Sequence, residues 1–524
     1  MSDFKLYPFQ QADVDRVVSD PTQGAWNASV VGTGKTPTST AILNVLDPKV
    51  SIIVAPPNTF DGWQRAQRLQ GYESGLRRLS SHKRDWQAVL DIRAGVAGRY
   101  FTSYEFARQY SFASLPIDAA VFDECHRFSD RKTATYLLCK GIGDTVRERG
   151  GVRLALSGTP GGNKVVGMWG VISTLWQFPD SYRYTNPDGT VMTNAHGTPN
   201  NFYGWAKHHL EEGINVHASR NGAQVPLWGR ELRPGSIVGE LPLYFRHEQN
   251  FACCAYHPEG VQKDLPARVI HPVEVDMTPA QAKIYNELES DMLAWVSDSD
   301  YPISTEGYPM QHWLRLMQVS LAVPTTELAQ RWKVREDATR EEVDYIKVTY
   351  PIGTKSSKLD AVDDIIKDIP AGERVLILTH SAGIIPAVLD RLQRKGIQAA
   401  GWFGAVGQGE RARIKASFID NSFPMGGNGT GVQVIVAQIG AIGEGVDGLQ
   451  WACSNEIWIS QSANRLQNTQ ALGRLRRDGQ KSTVNSWQIA ARGTKEMEQL
   501  EKMASESEYM TSAIHAQQQS FLTI

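Results

Sequence analysis

The sequence feature that most constrains the fold is a glycine loop between a strand-like run and a helix-like pattern. Trp26 to Val31 has the composition of a buried strand, and Gly32-Thr33-Gly34-Lys35-Thr36 follows it directly. Apolar residues then recur at helical spacing from Ala41 to Leu46. Strand, glycine loop and helix in this order predict a phosphate-binding loop. The glycines let successive N–H groups turn inward, and a helix amino terminus favours an anion.

The last two residues of this loop carry the functional groups. Lys35 is predicted to reach the β- and γ-phosphates of a nucleotide, and Thr36 to offer its hydroxyl to Mg²⁺. The three residues before them supply the backbone of the cradle. Ser29 stands where the strict GxxxxGK[ST] pattern has its first glycine. The nucleotide and the reaction must therefore be inferred from other motifs.

A second apolar run, Ala119 to Phe122, ends in two adjacent carboxylates. Asp123 is predicted to hold Mg²⁺ through its water shell, and Glu124 to orient or deprotonate the attacking water. Adjacent acids are common in turns. This pair, however, ends a strand of the buried type in a chain that also carries a phosphate loop, and it therefore indicates nucleotide hydrolysis.

Two further sets of side chains are candidates for the nucleotide site. The Gln10 amide offers a donor and an acceptor together, which suits the edge of an adenine. Arg474 and Arg477 are three residues apart in a helix-like segment, so they share one face and can place two guanidinium groups on a γ-phosphate. An arginine that contacts the γ-phosphate in this way raises the rate of hydrolysis by ~10³–10⁵-fold.

The remaining pattern predicts an α/β chain with two lobes. Strand-like runs alternate with helical patterns in the first half, and the same rhythm returns from Arg374 onward, which favours parallel sheets flanked by helices. We expect lobe 1 at 1–260 with a helical insertion at about 165–240, and lobe 2 at 261–524 with a helical insertion at about 279–347. Ligands of parallel sheets gather at the carboxyl ends of strands. Pro56, Thr102 and Ser103 are therefore candidates for contacting a nucleic-acid backbone.

Composition sets limits on partners and location. Lys and Arg total 54 against 56 Asp and Glu, so the formal net charge is −2. A nucleic-acid partner would therefore need a locally basic cleft. No apolar run approaches the ~18 residues that would span a bilayer, and the first residues lack the apolar segment of a signal peptide. We expect a cytoplasmic protein associated with DNA and without a membrane partner.

Taken in order, the motifs resemble those of the superfamily 2 DExH-box helicases. Within them, they resemble the double-stranded-DNA translocases of the SWI/SNF chromatin-remodelling type, in a minimal form. The segments that carry the resemblance are Leu6–Gln10 (Q motif), Gly32–Thr36 (motif I), Ile53–Pro57 with Trp63 (motif Ia), Thr102–Glu105, Asp123–His126 (DExH box), Ser157–Pro160 (motif III), Gly443–Asp447 (motif V) and Gln470–Gln480 (motif VI).

This resemblance implies two tandem RecA-like lobes with ATP and Mg²⁺ in the cleft and DNA, duplex or branched, across the lobes. It also implies that Gly445 and Asp447 of motif V contribute to nucleotide binding. The expected function is an ATP-dependent translocase on duplex DNA. A strand-separating or branch-migrating helicase acting on DNA or RNA is an alternative. A nucleic-acid-binding scaffold that does not hydrolyse nucleotide is an alternative of a different class.

Overall fold

The computed structural model describes residues 4–20, 23–29, 32–110, 112–158, 167–176, 210–218, 224–232, 253–255, 265–298, 308–334, 340–420, 431–443, 446–477 and 479–497. The chain divides into two compact units. The described residues of the first lie within Met1–Lys263 and those of the second within Asp264–Ser505. In this described part, no helix is both long enough and apolar enough to cross a membrane.

The first unit is built on a seven-stranded sheet in the order β3-β4-β2-β5-β6-β1-β9, with every pair of neighbours parallel. Strands β2 and β6 are buried along their whole length, and the central strand β5 is buried except at its last residue, as expected for a parallel sheet covered on both faces. The strands are β1 (Gly24–Asn27), β2 (Val50–Val54), β3 (Arg77–Leu79), β4 (Gly98–Thr102), β5 (Ala119–Asp123), β6 (Val152–Leu156) and β9 (Cys253–Ala255).

Seven helices belong to the described part of this unit. They are α1 (Pro8–Ser19), α2 (Lys35–Leu46), α3 (Phe60–Leu69), α4 (Trp86–Arg93), α5 (Tyr104–Gln109), α6 (Ala134–Glu148) and α7 (Met168–Leu175). Two apolar clusters, one containing Trp26 and Phe122 and the other Ile42 and Val121, fill the space between sheet and helices. Phe122 and Val121 are consecutive in β5, so the two clusters lie on opposite faces of the sheet.

The second unit has a six-stranded sheet in the order β10-β17-β16-β13-β15-β14, again with parallel neighbours throughout. The central strand β13 is buried at all six positions. The strands are β10 (Arg268–Val275), β13 (Arg374–Thr379), β14 (Ala399–Trp402), β15 (Val434–Gln438), β16 (Cys453–Trp458) and β17 (Val484–Ala491).

The described helices of the second unit complete the α/β pattern. They are α8 (Pro279–Asp298), α9 (Tyr308–Leu321), α10 (Ser357–Asp368), α11 (Ile385–Arg394), α12 (Gln408–Ile419), α13 (Ile439–Ile442) and α14 (Arg465–Leu472). Two units, each with a parallel sheet flanked by helices, confirm the predicted fold class of two tandem RecA-like lobes.

The segment predicted as a helical insertion at about 165–240 is only partly helical. Helix α7 is present, but β7 (Leu210–Ala218) and β8 (Gln224–Leu232) form an antiparallel two-stranded sheet. The prediction of helix was therefore wrong for these two stretches. Hydrophobic spacing in short segments does not distinguish helix from strand when aromatic residues are frequent. Residues 177–209 of this insertion lie outside the described part of the chain.

The second predicted insertion, at about 279–347, also differs from the expectation in its last third. It begins with two helices, α8 and α9, as predicted. It ends in an antiparallel hairpin of β11 (Thr325–Val334) and β12 (Arg340–Thr349), in which Leu328 pairs with Ile346. The sequence from Val343 to Thr349 is rich in β-branched and aromatic residues, which favours a strand over a helix.

Candidate active site

The segments of the first unit that were predicted to bind and hydrolyse a nucleotide meet at one edge of its sheet. β5, β6 and β1 are neighbours, and all three end at the same edge because the sheet is parallel. The phosphate loop follows β1, Asp123 is the last residue of β5, and Ser157 follows β6 between them. The sheet topology therefore brings motif I, the DExH box and motif III together. Val30, Val31, Thr159 and Pro160 lie outside the described residues.

Two glycines give the phosphate loop its shape. Gly32 and Gly34 have φ angles of +92° and +81°, in the left-handed region that L side chains rarely adopt. Gly34 is also tightly enclosed, because a Cβ added there would lie 2.1 Å from Nε2 of Gln10. Helix α2 begins at Lys35, immediately after this turn. The positive end of the helix dipole lies at this turn and favours the binding of an anion there.

Gln10 holds the loop in the structure. Its Nε2 donates to the carbonyl of Thr33 at 2.9 Å, and its Oε1 accepts from the backbone N–H of Tyr7 at 2.9 Å. The side chain is buried at the start of α1. Its amide is therefore bonded at both ends to backbone, and the contact to adenine stays a prediction.

Lys35 and Asp123 are close enough to affect each other electrostatically. The Lys35 ammonium donates to the carbonyl of Ser29 at 2.9 Å. Burial raises the pKa of Asp123 to about 6, and the negative charge of Glu124 adds to this shift. A hydrogen bond from Trp63 and the charge of Lys35 oppose the increase in the Asp123 pKa. A cation at this carboxylate would favour its charged form further, as expected for a metal ligand.

Glu124 occupies a strained backbone position next to a histidine. Its φ of +56° is rare for a residue with a side chain, and such outliers concentrate at functional sites. His126 Nδ1 lies 3.2 Å from Oε2 of Glu124 and 3.2 Å from Oγ of Ser157. The histidine therefore joins the DExH box to motif III. The sequence placed both residues in motifs but did not predict this contact.

A third contact that the sequence did not reveal is made by Trp63 in α3. Its Nε1 donates to Oδ2 of Asp123 at 2.9 Å, and the Tyr104 hydroxyl donates to the Asp123 carbonyl at 2.6 Å. Trp63 lies 60 positions before Asp123, so no local pattern links them. The resemblance of Trp63 to motif Ia was the one available signal.

The three residues predicted to contact a nucleic-acid backbone are not exposed polar groups in this structure. Pro56 and Thr102 are buried, and the Thr102 side chain is turned toward the carbonyl of Ser103 at 3.3 Å. Ser103 is half-buried, and its hydroxyl accepts from the N–H of Phe106 as the amino-terminal cap of α5. Contact by these residues stays a prediction. Of the three, only Ser103 presents a partly accessible side chain.

In the second unit, helix α14 ends at Leu472, so the prediction that Arg474 and Arg477 share one face of a helix was wrong. The two arginines of motif VI lie in the turns that follow the helix, and their environments differ. Arg474 is 6% exposed, and its guanidinium donates to the carbonyls of Gln470, Val446 and Gly443 at 3.0, 2.9 and 2.7 Å. Arg477 is 24% exposed and forms an ion pair with Asp447 at 3.4 Å.

Because of these contacts, the two arginines have different structural roles in the second unit. Arg474 joins motif VI to motif V, whereas Arg477 keeps an accessible charged group. Gly445, which was predicted to contribute to nucleotide binding, lies outside the described residues.

The first-unit site has the groups that ATP and Mg²⁺ require. The loop backbone and α2 form an anion cradle so narrow that a Cβ at Gly34 would collide with Gln10. Lys35 supplies positive charge, the Thr36 hydroxyl and the Asp123 carboxylate are oxygen ligands of the kind Mg²⁺ prefers, and Glu124 stands beside them. These residues fit a magnesium nucleotide.

Replacing Gly34 by alanine is expected to impair nucleotide binding. The left-handed φ costs about 1–2 kcal/mol for an L residue, and the added methyl group pushes the Gln10 amide from Thr33. We expect at least a tenfold rise in the nucleotide dissociation constant, measured with a fluorescent ATP analogue. Gly71→Ala is the matched control, since Gly71 has φ of +85° but open space around it. Equal nucleotide affinities in the two variants would contradict this prediction.

No protein-family model matches the chain, and no curated protein matches it. Among solved structures, the chain is similar to the Sulfolobus solfataricus SWI2/SNF2 ATPase core in complex with dsDNA. The similarity covers 100% of this chain and 95% of that chain at 16% identity, with a TM-score of 0.37. The fold assignment rests on the two parallel sheets themselves, and the site assignment rests on the contacts described above.

Proposed function

We propose that the protein is an ATP-dependent DNA translocase that uses Mg²⁺ and couples hydrolysis to movement along duplex DNA. The observation that carries the ATPase part is the meeting of Lys35, Asp123 and Glu124 at one edge of a parallel sheet. The DNA part rests on the ordered series of motifs in the sequence.

Each residue of the site has a distinct proposed role. Lys35 and the N–H groups of the loop bind the phosphates and orient the terminal one. Thr36 and Asp123 hold Mg²⁺, which neutralises charge on the phosphate oxygens when it is bound. Glu124 accepts a proton from the attacking water, and His126 fixes the direction of its carboxylate at 3.2 Å.

The second unit contributes guanidinium groups. We propose Arg477 as the arginine of motif VI that contacts a phosphate, because it is the more exposed of the two. Arg474 is proposed to act through motif V, since two of its bonds go to the backbone carbonyls of Gly443 and Val446 and keep them in place. In this proposal the Arg477 guanidinium exchanges its ion pair with Asp447 for a contact to the phosphate.

The test is the ATPase rate of the whole chain without nucleic acid and with duplex DNA, single-stranded DNA or RNA. We expect duplex DNA to give the largest stimulation. Binding to duplex DNA should weaken with salt, with log K falling by roughly 0.9 per neutralised phosphate for each decade of salt concentration. A rate that no nucleic acid changes would contradict the translocase proposal.

Two further assays separate the alternatives. Displacement of a third strand from a triplex reports movement on intact duplex, whereas unwinding of forked DNA reports strand separation. We expect triplex displacement without unwinding. Preferred stimulation by RNA would favour an RNA helicase. Nucleotide binding without any turnover would favour the non-hydrolysing scaffold.

A further inference from the structure

Both oxygens of the Asp123 carboxylate are held by donors from the protein. Trp63 Nε1 donates to Oδ2 at 2.9 Å, and the backbone N–H of Glu124 donates to Oδ1 at 3.0 Å. The Trp63 side chain is 1% exposed, so water cannot readily replace the indole donor. Each carboxylate oxygen has two lone pairs, so one accepted hydrogen bond leaves it free to bind a cation. The indole therefore sets the direction of the carboxylate without blocking it.

The helix that carries Trp63 is itself tied to the helix that begins at the phosphate loop. Gln67 in α3 donates from Nε2 to Oγ1 of Thr40 at 3.2 Å, and that hydroxyl donates to the carbonyl of Thr36 at 3.0 Å. Gln70, at the end of α3, donates from Nε2 to the carbonyl of Pro37 at 2.9 Å. These bonds keep the indole at a fixed place relative to Lys35 and Thr36.

Arg99, in strand β4, adds two buried hydrogen bonds to this network. Arg99 is 3% exposed; one of its guanidinium nitrogens donates to Oε1 of Gln67 and the other donates to the carbonyl of Leu43 at 2.9 Å. The amide of Gln67 is thereby bonded at both ends, and it cannot rotate without breaking a buried hydrogen bond. Helix α3 is therefore fixed to α2 through side chains, and one of them, Thr40, bonds to the backbone of Thr36.

We propose that Trp63 is a positioning residue that aims the metal-binding carboxylate of Asp123. This inference rests on the proposed function, because it concerns the Mg²⁺ of the same site. Partners that orient a metal ligand commonly change metal affinity by 10–100-fold when removed. Trp63 acts through Asp123 and has no part in binding the nucleotide by itself. Its loss should therefore affect the metal selectively.

The experiment measures Mn²⁺ binding by electron paramagnetic resonance in the presence of a non-hydrolysable ATP analogue. We expect Trp63→Phe to weaken Mn²⁺ binding by roughly 10–100-fold, whereas its affinity for the metal-free nucleotide stays within about twofold of the wild type. A purely structural loss would lower both affinities together. Trp63→His, which keeps a ring N–H, is expected to recover part of the Mn²⁺ affinity.

Trp176→Phe is the matched control. Trp176 is another buried tryptophan of the first unit, but it lies beside Gly24 at the amino end of β1, whereas Asp123 ends β5. We expect the Trp176→Phe variant to bind Mn²⁺ with the affinity of the wild type. Equal Mn²⁺ affinity in Trp63→Phe and the wild type would overturn this inference alone and leave the proposed ATPase intact. Failure of the wild type to bind Mn²⁺ with the nucleotide would overturn both.

Discussion

Replacing Glu124 by glutamine is expected to reduce ATP turnover by roughly 10²–10⁴-fold, the usual contribution of a general base. Glutamine has the same shape and can occupy the same strained backbone position, with φ of +56°. It cannot accept a proton from water. Nucleotide affinity should change by less than about threefold, since Lys35 and the loop backbone remain in place. Phosphate release measured with saturating Mg²⁺ and ATP, with and without duplex DNA, gives the turnover.

Two comparisons make this result specific. Glu73→Gln removes an exposed carboxylate of the same unit and should leave turnover unchanged. Lys35→Ala should instead abolish nucleotide binding, because it removes the charge that meets the phosphates. Loss of turnover with retained nucleotide binding in Glu124→Gln, compared with loss of binding in Lys35→Ala, distinguishes hydrolysis from binding at this site. Full turnover in Glu124→Gln would mean that this carboxylate does not activate water, and the assignment of the DExH box would fail.

Short local signals in the sequence predicted the secondary structure around Lys35 and Asp123, although their roles stay a prediction. Lys35 follows its glycines directly, and Asp123 ends an apolar run that does become a buried strand. In both cases neighbouring residues determine the backbone that carries the functional group. The parallel sheet then brings the two segments together, because consecutive βα units place all their strand ends at one edge.

Other features depend on contacts that no local pattern records. The hydrogen bond from Trp63 to Asp123 joins a residue of helix α3 to a residue of strand β5. The three carbonyls that accept from Arg474 belong to two different motifs. Sequence spacing predicted Arg474 and Arg477 on one helix face, but α14 ends before both of them. Packing alone decides that Arg474 is buried and Arg477 accessible. Packing likewise buries Thr102, whose hydroxyl looked available at a strand end.

The hairpin of β11 and β12 illustrates a different limit. Its strands follow two helices, and the helical pattern of α8 and α9 favoured an extension of the same type. The β-branched and aromatic residues from Val343 to Thr349 were visible in the sequence, but the partner strand β11 has fewer residues of this kind. Pairing between strands, which stabilises both, is a tertiary effect that a single segment does not show.

Replacing Lys358 by methionine is expected to cost about 3–5 kcal/mol of unfolding free energy, because it leaves a buried carboxylate without its partner. The Lys358 side chain is 1% exposed, and that of Glu496 is 3% exposed. The ammonium donates to both Glu496 oxygens, at 2.7 and 2.5 Å, and to the carbonyl of Ile459 at 3.0 Å. Urea unfolding of the full chain, followed by circular dichroism, measures the loss.

Lys367→Met on the same helix α10 is the matched control. Lys367 is 68% exposed and pairs with the exposed Asp364, so solvent already screens its charge. We expect no measurable change in the unfolding free energy for this variant. If Lys358→Met were as stable as Lys367→Met, the buried ion pair would not stabilise the second unit.

The double variant Lys358→Met/Glu496→Gln separates the pair from the packing. Glutamine keeps an oxygen that can accept from the N–H of Ala491, which donates to Glu496 at 3.1 Å. With no charge left in the core, the desolvation cost disappears along with the attraction. The double variant should therefore recover at least half of the stability that Lys358→Met loses. Additive losses would mean that the two side chains stabilise the unit independently, through packing and not as an ion pair.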